Sequence, residues 1–338
     1  MKGLIKINFK EVQSDFYKRF NKEPETARTF SVGATLDIIS DRAGFIPLYS
    51  LSLSVMTYIT IRITDDESFK FQLQNSNVLY QSKAENLTDY REDRTAYNVF
   101  CAIANSKGKI NGCEILFNFD TEKEEFKILT PLVYLAFSYI NERTIPKTYE
   151  ISHFMPEFDN LNCILAGRKN YILSSQQYNQ QYYPFNSVGE KIVIVSTDLK
   201  LTLNSAFSEN VKKLKNDEPC ENNKYTQFVK KRIADFEKIA TMTQKELIEK
   251  IRLSETEFTD MIKNGDIIKT LMDTSYDTGF ARLVTVCEKY NGIAAFVSDE
   301  NVDEFVSIIS KKAEIITGST VLIFISDTQN SGIELFQS

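Results

Sequence analysis

Apolar and polar residues alternate through LSLSVMTYITIRIT, Leu51 to Thr64, and the alternation resumes from Phe69 to Leu73. Successive side chains of a strand point to opposite faces, so this text predicts half-buried strands. GCEILFNF (112–119), KIVIVSTD (191–198), GIAAFVS (292–298) and TVLIFIS (320–326) are compact apolar runs that predict buried strands. Residues 171–185, YILSSQQYNQQYYPF, have the composition of an exposed hairpin edge. Helical spacing marks Ser14–Phe20, Asp93–Ala104 and Asn301–Ala313. Ser208–Met272 is mostly helical and rich in Lys and Glu, broken at NDEPCENN. Thr130 and Pro131 predict an N-cap and first position for a helix through Tyr139 that is apolar nearly all round. Strands and helices without G-x-G-x-x-G or a strict βαβ repeat predict an α+β fold. The domain boundary is expected near Ser187–Lys191, giving 1–188 and 189–338.

Length sharpens this picture, since 338 residues favour two domains, each able to bury a core. The net charge of −6 argues against a general nucleic-acid binder, which must neutralise phosphates with Lys and Arg. Five scattered cysteines without a C-x-x-C pair, beside one histidine, make a Cys/His zinc site improbable; no metal is expected. That cysteine usage suits a reducing cytoplasm. The N-terminus has no apolar targeting core, and Ile128–Ile140 is too short to span a bilayer, so no membrane association is expected. Only 12 residues are glycine, about half the usual ~7% share.

The stretch TFSVGATLDIISDRAGFIPLYSLSLSV, Thr29 to Val55, places Gly33 in a short loop before small and acidic residues and a strand. With the preceding FYKRFNKEPETAR, with HFMPEFDN (153–160) and with KIVIVSTDLKLTLNSAFSEN (191–210), the order of pieces resembles a galactokinase of the GHMP kinase superfamily over nearly the whole chain. The resemblance implies two halves, a ribosomal protein S5 domain 2-like N-terminal half and a ferredoxin-like C-terminal half. It also implies sugar contacts at Gly33, Asp37, Ser40, Asp41 and Gly44, and a nucleotide loop near Lys123, Lys127 and Thr130.

The departures fall on the chemistry. Ala34 stands where the family carries an arginine that assists phosphoryl transfer, Pro156 where it carries a catalytic aspartate, and Phe207 where a tyrosine hydroxyl meets sugar. Proline cannot accept a proton. The family's glycine-rich phosphate loop corresponds to FDTEKEEFKILTP, with no glycine and with Asp120, Glu122, Glu124 and Glu125 around the phosphate position. Like charges 4 Å apart repel by about 4 kcal/mol at an effective dielectric near 20. The family's glycine-rich third turn corresponds to ARLVTVCEKYNGIAAF, where Gly292 alone survives. The resemblance with these losses implies a protein that has lost ATP-dependent sugar phosphorylation and binds a monosaccharide such as galactose, or a protein partner, with no cofactor. The alternative is an active sugar kinase using Mg-ATP, with Glu157 or Asp159 as replacement base and Lys123, Lys127 or Arg168 on phosphate.

Plainer readings stand beside these. Gly33 and Asp41 fit ordinary turn residues as well as a sugar loop, and Asp37 a capped loop carboxylate. His153, next to Phe154 and Met155, fits a packed or surface histidine. The EKEE run fits a solvated face, and Cys287 a core position.

Overall fold

The computed structural model describes residues 9–20, 27–39, 48–91, 93–106, 108–119, 126–142, 171–176, 179–215, 224–328 and 333–336. In chain order the elements are α1 (Phe9–Phe20), β1 (Ala27–Ile39), β2 (Leu48–Thr64), β3 (Ser68–Leu73), β4 (Leu79–Lys83), α2 (Arg94–Ser106), β5 (Gly112–Phe119) and α3 (Phe126–Glu142). Then come β6 (Tyr171–Gln176), β7 (Asn179–Pro184), β8 (Glu190–Ser196), α4 (Ser205–Lys215), α5 (Lys224–Phe236), α6 (Gln244–Thr259) and α7 (Gly265–Asp277). The chain closes with β9 (Ala281–Cys287), β10 (Gly292–Ser298), α8 (Val302–Thr317), β11 (Leu322–Ser326) and β12 (Ile333–Phe336).

The contacts divide the chain into two compact units. One takes Met1–Leu4, Thr35–Leu53 and Arg168–Thr328; the other takes Ile5–Ala34, Ser54–Gly167 and Gln329–Ser338. The position 188/189 therefore falls within the first of these. Its hairpin β6–β7 joins that unit because β6 pairs with Leu48–Ser50 at the start of β2.

In the unit containing α1, the strands run in the order β12-β1-β2-β5-β3-β4. Strands β3 and β5 are parallel, and α2 lies on the connection between them, as a parallel pair requires. Alternation sorts the side chains: Phe30, Val32, Ile59, Ile61, Phe69, Phe71, Ile115 and Phe117 share one core with Val99, Phe100 and Ile103 of α2 and Leu129, Leu132, Val133 and Phe137 of α3. Each such side chain contributes about 1.5–3 kcal/mol on burial. Helix α3 begins at Phe126, so Thr130 and Pro131 lie inside it and do not form the expected cap. Its apolar pattern extends one turn toward the N-terminus, where Leu129 is already fully buried.

The other unit carries the antiparallel sheet β11-β8-β10-β9. Val193, Val195, Val284, Val286, Ile293 and Ala295 pack under Phe228 of α5, Phe258 of α6, Leu271 of α7 and Phe305 of α8. Helix α6 starts at a capping box: Thr243 Oγ1 accepts from the Glu246 N–H while the Glu246 carboxylate accepts from the Thr243 N–H. Strand β9 is a sheet edge, and its outward backbone groups are met by side chains. Val284 N–H donates to the Tyr276 hydroxyl at 2.9 Å and Val286 N–H to Glu255 Oε2 at 2.8 Å.

Candidate functional site

Gly33 does not sit in a loop or a turn. It lies within β1, buried between Val32 and Ala34. The apolar positions Phe30, Val32, Ala34, Leu36 and Ile38 keep strict alternation across it, so the glycine is absorbed into a strand. Ala34 is 3% exposed, which leaves its position to core packing. Asp37, farther along β1, is half-buried; Ser50 Oγ of β2 donates to its Oδ1 at 2.6 Å. Asp37 is thus a carboxylate held in a strand and not in a capped loop. Ser50 was not singled out in the sequence, and the available signal was a small polar residue inside an otherwise apolar strand run.

Thr130 is half-buried within α3. Lys127 belongs to the first turn of that helix. Ser40, Asp41, Gly44, Lys123, Glu157 and Asp159, with Asp120, Glu122, Glu124, Glu125, His153, Pro156 and Arg168, lie outside the described residues. Among the described residues no group of His, Cys, Asp and Glu could hold a metal ion, and no helix is long and apolar enough to cross a membrane.

The best-described of the positions flagged in the sequence is the turn between β9 and β10. Glu288–Tyr290 form one short 3-10 turn, and Asn291 closes it in the left-handed region at φ 52°. The turn is bonded to the end of β8: Ser196 Oγ donates to Tyr290 O at 2.8 Å, Thr197 N–H to the same oxygen at 3.3 Å, and Thr197 Oγ1 to Asn291 O. The Tyr290 ring is 1% exposed and meets Phe324 at 5.5 Å between centroids. Cys287 is likewise buried. Gly292 follows because a Cβ there would lie 1.8 Å from Val195 O. Its role is close approach of two backbones. In α4, Phe207 packs against the helical core and faces Tyr225 at 6.0 Å between centroids.

Neither a protein-family profile nor a curated protein matches this sequence. Solved structures do. Galactokinase from Lactococcus lactis, complexed with galactose, superimposes with a TM-score of 0.72 at 13% identity, covering 96% of this chain and 99% of its own. This is the GHMP kinase fold. Mevalonate kinase from Methanococcus jannaschii matches the GHMP-fold chain at TM-score 0.64 and 12% identity, covering 89% and 98%. Homoserine kinase from Cytophaga hutchinsonii matches at 0.59 and 13%, covering 93% and 99%. What the sequences share at this level is architecture; the α+β class expected from the residue pattern and the GHMP-like fold that the resemblance implied are both observed. Among the described positions, those flagged as departures are occupied by groups that this chain uses internally. Ala34 and Phe207 pack, and the turn after β9 bonds to β8.

Proposed function

We propose that this GHMP-fold protein is a binding protein that has lost ATP-dependent sugar phosphorylation and takes a monosaccharide such as galactose, with a protein partner as the other use of its scaffold. The observation that carries the reading is the closed turn at Glu288–Asn291. Phosphoryl transfer depends almost wholly on positioning and on charge stabilisation. A glycine turn can bring backbone N–H groups against a bound ligand. Here Tyr290 fills the core instead, and the carbonyls of the turn are taken by Ser196 and Thr197. The acidic run 120–125 and proline at 156 add to the same reading. No nucleotide cofactor is needed for such a role, and the unpaired Cys101 and Cys113 suit a reducing compartment.

A second reading keeps activity: a sugar kinase with Mg-ATP bound near Lys123, Lys127 and Thr130, and with Glu157 or Asp159 as base. It draws on the likeness to a whole galactokinase over 96% of this chain. Isothermal titration of the full chain separates the two. The binding reading expects no heat with millimolar Mg-ATP and saturable heat with galactose or a related monosaccharide. Micromolar Mg-ATP binding, or sugar-dependent ADP release that Glu157→Gln abolishes, would overturn it. A ligand selective for the native state adds about 2.7 kcal/mol at a hundredfold excess over Kd, so thermal shifts should agree with the titration.

A further inference from the structure

The sheet of the α1-containing unit has two unlike faces. One carries the large apolar core under α2 and α3. The other is polar where α1 covers it. Thr29 and Thr60 share a hydrogen bond at 2.9 Å, and Arg62 pairs with Glu114 directly across β2 and β5, both nearly fully buried. On this same face four buried polar atoms have no hydrogen-bond partner: Ser31 Oγ, Arg62 Nε, Ser68 Oγ and Asn118 Oδ1. Native proteins leave few such atoms, and each calls for an explanation such as water.

The cover itself is held lightly by apolar contact. Of the twelve residues of α1 only Val12 and Phe16 are buried. They meet Tyr58, Ala27 and Leu116 in two small patches, and the Phe16 ring lies 5.5 Å from the Arg62 guanidinium carbon. An isolated helix of this length is marginal in water. Half-buried Tyr17 and Phe20 pack against the second patch, and polar ties add to these contacts. Asp15 accepts from Asn118 Nδ2 at 3.1 Å and from Arg19 Nε at 3.1 Å. The Arg19 guanidinium also donates to the backbone carbonyls of Leu73 at 3.4 Å, Gln74 at 2.5 Å and Ser76 at 3.1 Å, clamping the turn after β3.

We propose that α1 is a strap that undocks as one unit from a wet polar face while the rest of the sheet stays folded. Hydrogen bonds to water replace its polar ties when it leaves, whereas the α2–α3 face has no such substitute. The opening has a route to the end of β5. Gln74, whose carbonyl Arg19 grips, donates its own N–H to Phe117 O at 2.8 Å and accepts the Phe119 N–H on its side-chain oxygen at 2.8 Å. Releasing Arg19 therefore loosens the turn that fixes the last residue of β5.

Native-state hydrogen exchange on the full chain tests this independently of any ligand. Amides of Gln13–Phe20 should exchange as a group at least about 100-fold faster than those of Ile115–Phe117, with a weak denaturant dependence, as a sub-global unit does. Arg19→Ala should speed the α1 amides a further ~10-fold and loosen the Phe119 amide while leaving Ile115 unchanged. Asn118→Ala provides the same readout should Arg19→Ala fold poorly. Exchange of α1 at the rate of β5, or residue-by-residue fraying unaffected by either substitution, would overturn the proposal.

Discussion

Removing the Glu255 carboxylate should damage the β9-containing unit more than removing the whole ion pair to which it belongs. Glu255 is fully buried in α6; its Oε1 accepts from Arg232 Nη2 of α5 at 2.6 Å, and its Oε2 caps the Val286 N–H of the edge strand. Arg232 is itself buried, with its guanidinium 5.0 Å from the centre of the Phe228 ring. Breaking a buried pair by deleting one partner costs about 3–5 kcal/mol, because a charge is left without its counterion. Loss of the hydrogen bond from the Val286 N–H adds roughly 1–3 kcal/mol. Glu255→Ala therefore consumes a large part of a typical stability of about 5–15 kcal/mol. The double variant Arg232→Met/Glu255→Leu removes both charges together, so no buried charge is left without its counterion. It should lie closer to the wild type than Glu255→Ala by about 3 kcal/mol, two decades in the folding constant. Urea unfolding followed by far-ultraviolet circular dichroism measures the difference, and hydrogen exchange at Val284 and Val286 assigns the loss to this unit. A Glu255→Ala variant within about 1 kcal/mol of wild type, or a double variant less stable than the single one, would refute the reasoning.

Gly292→Ala should lower stability by on the order of 3 kcal/mol in the same urea assay, since its Cβ would sit 1.8 Å from Val195 O. Gly189→Ala has open space and only a left-handed φ of 73°, so it should lose about 1–2 kcal/mol; equal losses at the two sites would contradict the packing argument. The Asp66 carboxyl is drawn down to about 2, first by its hydrogen bond from Lys70 and then by that from Thr64. Its contribution is present above the ordinary carboxylate value of 3.8 and is lost as pH falls through about 2. Asp66→Asn should flatten that acid limb by less than about 1 kcal/mol, because the pair is exposed, and an unchanged limb would count against it. Burial raises the Tyr276 phenol above its usual 10.0, so its share of stability is complete below that pH and fades as pH rises through the raised value. Tyr276→Phe should remove that alkaline loss and speed exchange of the Val284 amide; retained protection there would show that the hydroxyl does not cap the edge.

Much of the architecture was legible because burial imposes a period that the text displays. The apolar runs at Gly112–Phe119 and Gly292–Ser298 have the bounds of β5 and β10. The alternation from Leu51 lies wholly within β2. Gly33 misled because glycine reads as punctuation, whereas the residues flanking it alternate without a break. The Thr130–Pro131 pair misled for a related reason: a local cap motif was outweighed by an apolar stripe that continues past it toward Phe126. The Arg232–Glu255 pair left no trace. Its partners are 23 residues apart on helices whose Lys- and Glu-rich text reads as a solvated surface. Of the candidate site, the scarcity of glycine was visible in the text, but the bonding of the turn after β9 was not, because Ser196 and Tyr290 are 94 residues apart.

The low identity and the shared fold have one physical explanation. A GHMP scaffold is specified by which positions are apolar, and Val193, Val195, Val284, Val286, Ile293 and Ala295 satisfy that demand whatever the turn between β9 and β10 contains. Catalytic positions carry no such packing obligation, so a chain released from the reaction can give them one. On the proposed reading, the described positions that depart from the family pattern have taken on packing roles of that kind. Ala34 is buried in β1, Phe207 faces Tyr225, and Tyr290 is buried beside Phe324 while its carbonyl accepts from Ser196 at the end of β8 and from Thr197 just after it. On that reading a glycine at position 290 would keep the carbonyl that Ser196 bonds but would empty a ring-sized volume beside Phe324. The proposed binding role asks less of such a scaffold than phosphoryl transfer does. Binding needs shape and a few polar groups, whereas transfer needs every positioning element at once.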